Sequence, residues 1–200
     1  MISFRKRTVA ATAAAVAIGS MALFGGADTG AAWAADSSAP AWTIQPGGTL
    51  GFAVAQDGSD IEGSFAKWGG EIRFNPDSPG DAAIKIDIDL MSSTVNDGYK
   101  DGLLHGSDFF DAATHPVATF TSTKVEALPD GRFVAHGDLS LRGLSIAQVV
   151  VFRLTGCGDT RRAEGRADID RMPFGVGTGS HGDGIDQTVG VTFAFDAKRG

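Results

Sequence analysis

From residue 42 onward, apolar and polar positions alternate with a period of two. Leu50, Phe52 and Val54 share one face of a segment, and Ile61, Gly63 and Phe65 share a face of the next. Ile72 and Phe74 follow, and then Ile84, Ile86 and Ile88 interleave with Lys85, Asp87 and Asp89. Ala118 and Phe120, then Phe133, Ala135, Gly137, Leu139 and Leu141, continue the pattern. Val150, Phe152 and Leu154 come next, followed by Ala163, Gly165, Ala167 and Ile169, and finally by Val189, Val191, Phe193 and Phe195. Such alternation marks strands with one buried face. Turn formers punctuate it at Pro46-Gly47-Gly48, Asp57-Gly58, Gly69-Gly70, Asn75-Pro76-Asp77, Pro79-Gly80, Pro129-Asp130-Gly131 and Gly156-Cys157-Gly158. About eight to ten short strands at this spacing predict an antiparallel sandwich or barrel. A parallel α/β sheet would need strands apolar on both faces.

Residues 96–115 break the alternation. Leu103 and Leu104 follow Tyr99 at helical spacing, and Asp108 is a candidate N-cap for a second helix starting at Phe109-Phe110-Asp111. The expectation is an all-β protein with one or two short helices laid across the barrel or its mouth.

The chain has 200 residues, 42% of them hydrophobic and 20% charged, which suits one globular domain. Its net charge of −7 argues against a nucleic-acid partner, since phosphate neutralisation needs clustered Lys and Arg. A single cysteine, Cys157, excludes an intramolecular disulfide framework and a Cys-rich zinc site, and reads as an exposed loop thiol. At the N-terminus, Arg5, Lys6 and Arg7 precede an uncharged run from Thr8 to Ala27, and Ala32-Trp33-Ala34 offers a small-residue cleavage site. This is the layout of a secretory signal over 1–34, followed by a polar leader over 35–41 and a barrel over 42–200. The expected location is the periplasm or the exterior.

Chemistry signals are sparse. His105, His115, His136 and His181 form no metal-binding pair, and no nucleophile elbow occurs. Gly175 to Gly179 lacks the strand, helix and lysine of a phosphate loop. No catalytic and no metal-ligating residue is assigned. Small residues on the inner faces (Gly63, Ala135, Gly137, Ala163, Gly165 and Ala167) mark either strand bends or a cavity.

Several segments together resemble the YceI-like family of exported polyisoprenoid-binding proteins. They run from Trp42-Thr43-Ile44 and Leu50-Gly51-Phe52-Ala53-Val54 through Glu62-Gly63-Ser64-Phe65 and Ile72-Arg73-Phe74-Asn75-Pro76. Lys100-Asp101-Gly102-Leu103-Leu104, Ser107-Asp108-Phe109-Phe110-Asp111 and Pro116-Val117-Ala118-Thr119-Phe120 follow. Gly137-Asp138-Leu139-Ser140-Leu141-Arg142-Gly143 and Asp170-Arg171-Met172-Pro173-Phe174-Gly175-Val176-Gly177 complete the series. Gln56 stands where many members carry His, Lys100 where many carry Arg, and residues 143–148 depart from the usual run. Gln56 and Trp68 are similar to a subgroup found alongside b561-type membrane cytochromes.

The resemblance implies a lipocalin-like antiparallel barrel of about eight strands with a cavity inside. It implies carriage of a long isoprenoid lipid, of quinone or polyprenyl type, or of a fatty-acid-like chain, and no catalytic cofactor. Candidate wall residues are Phe52, Val54, Phe65, Phe74, Ile86, Phe120, Phe133, Leu139, Phe152 and Phe193, with Leu103, Leu104, Phe109 and Phe110 closing the mouth. Lys100 and Arg171 are candidate head-group contacts. A membrane surface, a membrane cytochrome or a second copy of the chain are candidate partners. Two rival readings remain open. One is an enzyme working at the mouth through groups such as His105 or Asp108; the other is a packed barrel acting as a stress-related interaction module, with Phe133 and Phe193 meeting at its centre.

Overall fold

The computed structural model describes residues 38–200; the expected signal segment lies outside the described residues, as does most of the leader. Eleven strand segments and one α-helix make up the fold. They are β1 (Ala41–Ile44), β2 (Thr49–Gln56), β3 (Ser59–Phe65), β4 (Trp68–Arg73), β5 (Ala83–Asp89), β6 (Ser93–Thr94), α1 (Gly98–His105), β7 (Val117–Ala127), β8 (Phe133–Leu141), β9 (Leu144–Thr155), β10 (Thr160–Asp170) and β11 (Thr188–Arg199).

Three pairs of segments are single strands with a break. β1 and β2 pair successively along the same edge of β11, β3 and β4 continue one another, and β5 and β6 are separated by a 3₁₀ turn at Leu90–Ser92. Counted this way, eight antiparallel strands follow one another in chain order, and the first closes on the last. Closure removes every free edge. The alternating pattern placed the strands correctly, and of the sandwich or barrel it left open, the structure is the closed eight-stranded barrel that the family resemblance implied.

The hairpin turns follow local chemistry. Asp57-Gly58 and Arg142-Gly143 both hold positive φ, at 51° and 78° and at 53° and 75°. Two successive residues of that kind make the two-residue turn whose twist matches the flanking strands.

Around the barrel, cross-strand registers stack inward side chains into belts. One runs Phe133, Phe152, Gly165, Phe193, Leu50 across β8, β9, β10, β11 and β2. Another runs Gly70, Ile86, Phe120, Leu139, Ile146 across β4, β5, β7, β8 and β9.

The insertion between β6 and β7 departs from expectation in one respect. Asp97, not Asp108, caps a helix: its carboxylate accepts from the Tyr99 and Lys100 amides at 3.0 and 3.2 Å. After α1, residues 107–114 form turns and no second helix. Asp108 has other partners there, with its Oδ2 2.9 Å from His181 Nδ1 and its carbonyl accepting from the Gly177 amide.

Candidate functional site

An eight-stranded barrel is at the size where side chains can either fill the interior or leave room for a ligand. Here the interior holds two apolar cavities, of ≈ 160 and ≈ 150 Å³. The first lies toward the end carrying the β9–β10 turn and is termed the floor lobe. The second lies under α1 and the turns after it, and is termed the mouth lobe. Ile88, Leu139, Ile169 and Val191 line both, so the lobes share a four-residue waist.

Glycines and alanines on the inner face do different things. At Gly63, Gly137 and Gly165 an added Cβ would overlap the rings of Phe52, Phe120 and Phe193 respectively; at Gly137 it would lie 2.7 Å from Phe120 Cζ. The outer edge of each ring occupies the space left by the absent Cβ of a glycine on a neighbouring strand. Ala135, Ala163 and Ala167 line the floor lobe directly. Only Gly137 also matches the bend reading, because the β7–β8 register slips beside it, between Ser122 and Lys124.

The structure gathers twelve of the sequence-derived wall and mouth residues around the two spaces. Phe74, Ile86, Phe120, Phe152 and Phe193 line the floor lobe; Phe52, Val54, Phe65, Leu104, Phe109 and Phe110 line the mouth lobe; Leu139 lies at the waist. Phe133 and Leu103 line neither. Phe133 is buried at the floor end, stacked on Phe152 with centroids 5.4 Å apart and edge-on to Phe74 at 5.1 Å. It does not meet Phe193, which stacks on Phe195 instead. Lys100 is exposed on α1 and faces neither lobe. Arg171 does border the mouth lobe, but its guanidinium donates to the carbonyls of Val176, Gly177, Ile185 and Asp186 at 2.7–2.8 Å. It ties the loop between β10 and β11 to the barrel end.

Three fastenings hold the mouth. Asp101 accepts from the Val95 amide and the Thr94 hydroxyl, both at 2.7 Å, and those bonds keep its carboxyl below the usual value. His105 Nε2 lies 3.0 Å from the Ser93 carbonyl. Arg142, in the β8–β9 turn, donates to the carbonyls of Ser107 and Phe109. His105 and Asp108, the candidates for acid–base work, border neither lobe.

Alternation alone could not single out Arg142, the waist residues Ile88, Ile169 and Val191, or the tryptophans Trp42 and Trp68 that line the floor lobe. Arg161 was missed as well, though its inward phase on β10 is readable from Ala163, Gly165 and Ala167. Among the described residues, Arg161 and Arg171 are the only charged side chains lining either lobe.

Comparison with known proteins agrees with this architecture. The YceI-like domain model matches residues 42–197. A UPF0312 protein of Azotobacter vinelandii is 32% identical over 151 residues, 74% of each chain. A UPF0312 protein of Vibrio cholerae is 31% identical over 100 residues; the match spans about half of each chain, 50% of this one and 53% of the relative. Among solved structures, BcnA of Burkholderia cenocepacia superposes with a TM-score of 0.74 at 25% identity, covering 78% of this chain and 99% of that one. A polyisoprenoid-binding domain from Saccharophagus degradans superposes with a TM-score of 0.64 at 16% identity, over 80% of this chain and 99% of that one, which shows the shared fold. On the family match and the closed hollow barrel together, this chain belongs to the YceI-like family.

Proposed function

We propose that the barrel binds the long apolar chain of a lipid, an isoprenoid first, and carries it without chemical change. The observation that carries this reading is the two-lobed interior, whose exposed surface is apolar throughout. Each lobe matches the size at which an apolar protein cavity admits a six-carbon ring, about 150 Å³. Threading both, a chain that buries ten methylene equivalents gains about 8 kcal/mol before ordering costs. The Saccharophagus neighbour, a polyisoprenoid-binding domain, supports the choice of lipid class. Arginine is a poor proton donor or acceptor, and no carboxylate or imidazole borders either lobe among the described residues.

The test is organic extraction of freshly isolated native protein followed by mass spectrometry. A stoichiometric isoprenoid supports carriage; a lipid-free extract, together with no uptake of prenyl lipids by the purified protein, refutes it.

The finer reading is an exported carrier that loads and unloads at a membrane surface or a membrane cytochrome, with a quinone among the cargoes. The signal-like N-terminus motivates export, and sequencing the N-terminus of the protein from its native host tests it. The barrel end motivates surface contact. Of the six exposed large apolar side chains among the described residues, Met91, Tyr99, Val117, Leu144 and Met172 lie at the mouth end of the strands or on α1. Sedimentation with lipid vesicles tests this, and no loss of binding on changing Met91 and Leu144 to Ser would refute it. A homodimer is open to direct measurement by light scattering.

A further inference from the structure

Residues Arg161 and Arg162 are neighbours on β10 with opposite circumstances. Arg162 points outward and meets Glu164 at 2.7 Å and Asp196 at 3.4 Å. Arg161 borders the floor lobe and is half-buried as a whole; its Nη1 is sealed just behind the lobe's apolar surface without a hydrogen-bond partner among the described residues. Buried polar atoms in folded proteins are almost always paired, and an unpaired cationic donor carries a large desolvation penalty. The walls supply no counter-charge: neither lobe is lined by Asp or Glu. Just past the other end of the strand, every guanidinium nitrogen of Arg171 donates to a carbonyl, so the buried side-chain nitrogen without a partner among the described residues is Arg161 Nη1.

We propose that Arg161 anchors the anionic head group of the bound amphiphile, a phosphate or a carboxylate, at the floor of the tunnel. The apolar chain then runs through the floor lobe, past the waist and toward the mouth. Arg161 and Arg171 are ten residues apart in sequence, about 33 Å along the strand and about 25 Å along the axis of a barrel whose strands tilt by about 40°. A guanidinium offers two parallel donors to either oxyanion, and a neutral alcohol offers it only one acceptor. An acid-headed lipid is therefore preferred over the corresponding alcohol. This rests on the carriage reading and adds the chemical class of the head.

The experiment uses the full chain, stripped of lipid, with Trp42 and Trp68 in the floor-lobe wall as the fluorescence reporters. Farnesyl phosphate is compared with farnesol, and hexadecanoic acid with hexadecanol, for the wild type, Arg161→Met and Arg161→Lys. The wild type is expected to prefer one or both acids by roughly 10- to 100-fold, the worth of a charged hydrogen bond. Which pair shows the preference tells phosphate from carboxylate. Arg161→Met is expected to abolish the preference, so that acid and alcohol of each pair bind with equal affinity, with Arg161→Lys recovering part of it. Equal binding of acids and alcohols by the wild type, or an undiminished preference in Arg161→Met, overturns the anchor and leaves carriage standing. No binding of any probe by the wild type overturns carriage itself. A lower melting temperature in Arg161→Met, with every probe lost, assigns Arg161 a structural role and likewise overturns the anchor.

Discussion

Gly165 on β10 lies directly opposite Phe193 on β11, and the Phe193 ring occupies the space that a Cβ at Gly165 would need. The same site leaves no slack elsewhere, since that Cβ would also lie 2.7 Å from the Val151 carbonyl oxygen and 2.8 Å from Phe152 Cβ. Removing one side chain lets a large one lie along the wall. With Gly63 and Phe52, and Gly137 and Phe120, the relationship recurs on three sides of the barrel. It reconciles a phenylalanine-rich interior with an open lumen.

Replacing Gly165 by Ala should therefore push Phe193 off the wall and into the floor lobe. Overpacking of this kind destabilises by about 1–3 kcal/mol, which urea unfolding would register as a lower midpoint. Long-chain lipid uptake should fall together with stability. A stability unchanged within error would show that the ring is not held by the missing Cβ.

The waist gives a separate handle. Val191 borders both lobes, so Val191→Phe should narrow the passage between them. A long prenyl chain should then bind at least about tenfold more weakly, while a probe no larger than one lobe keeps its affinity, because each lobe is already of benzene-binding size. Equal loss for long and short probes would point to general collapse instead.

Arg142 closes the mouth by holding the Ser107 and Phe109 carbonyls. Hydrogen bonds from a charged donor contribute about 1.5–3 kcal/mol when well formed, less where solvent reaches them. Arg142→Ala should speed lipid release several-fold in stopped-flow exchange and raise amide exchange across residues 107–112. The equilibrium fold should survive, since Arg142 lies at the barrel end.

Acidification should open the same region through Asp101. The Val95 amide, and then the Thr94 hydroxyl, hold its carboxyl below the ordinary 3.8. A carboxylate depressed on folding contributes stability that is fully present above its unfolded value and is lost as pH falls through the lower folded one. The α1 latch should thus be intact at neutral pH and loosen only below about 3.8. The Val95 amide should show this as faster exchange in acid, and Asp101→Asn should shift or erase the transition.

How much of this was legible without coordinates differs from residue to residue. Strand segments, their inward faces, the Asp57-Gly58 turn and the helical insert followed from period and local turn chemistry, because a strand with one buried face must alternate. The second helix expected after Asp108 does not form: tertiary contacts engage Asp108 with His181 and Gly177, and the one helix of the insert is capped by Asp97, which the sequence reading did not name. Arg171 read as a head-group contact because its four carbonyl partners come from the loop that folds back over it.

The amino-acid order by itself determined that this chain makes antiparallel strands with one phenylalanine-rich buried face; closure of the first strand on the last was decided by tertiary pairing. Alternation is a property of neighbouring residues and needs no knowledge of what lies across the sheet. Whether that inner face meets itself or stands apart depends on which side chain lies opposite which. Registers set far apart in the chain decide it, by pairing Phe52, Phe120 and Phe193 with glycine neighbours and by leaving Arg161 facing an apolar space with no carboxylate to meet.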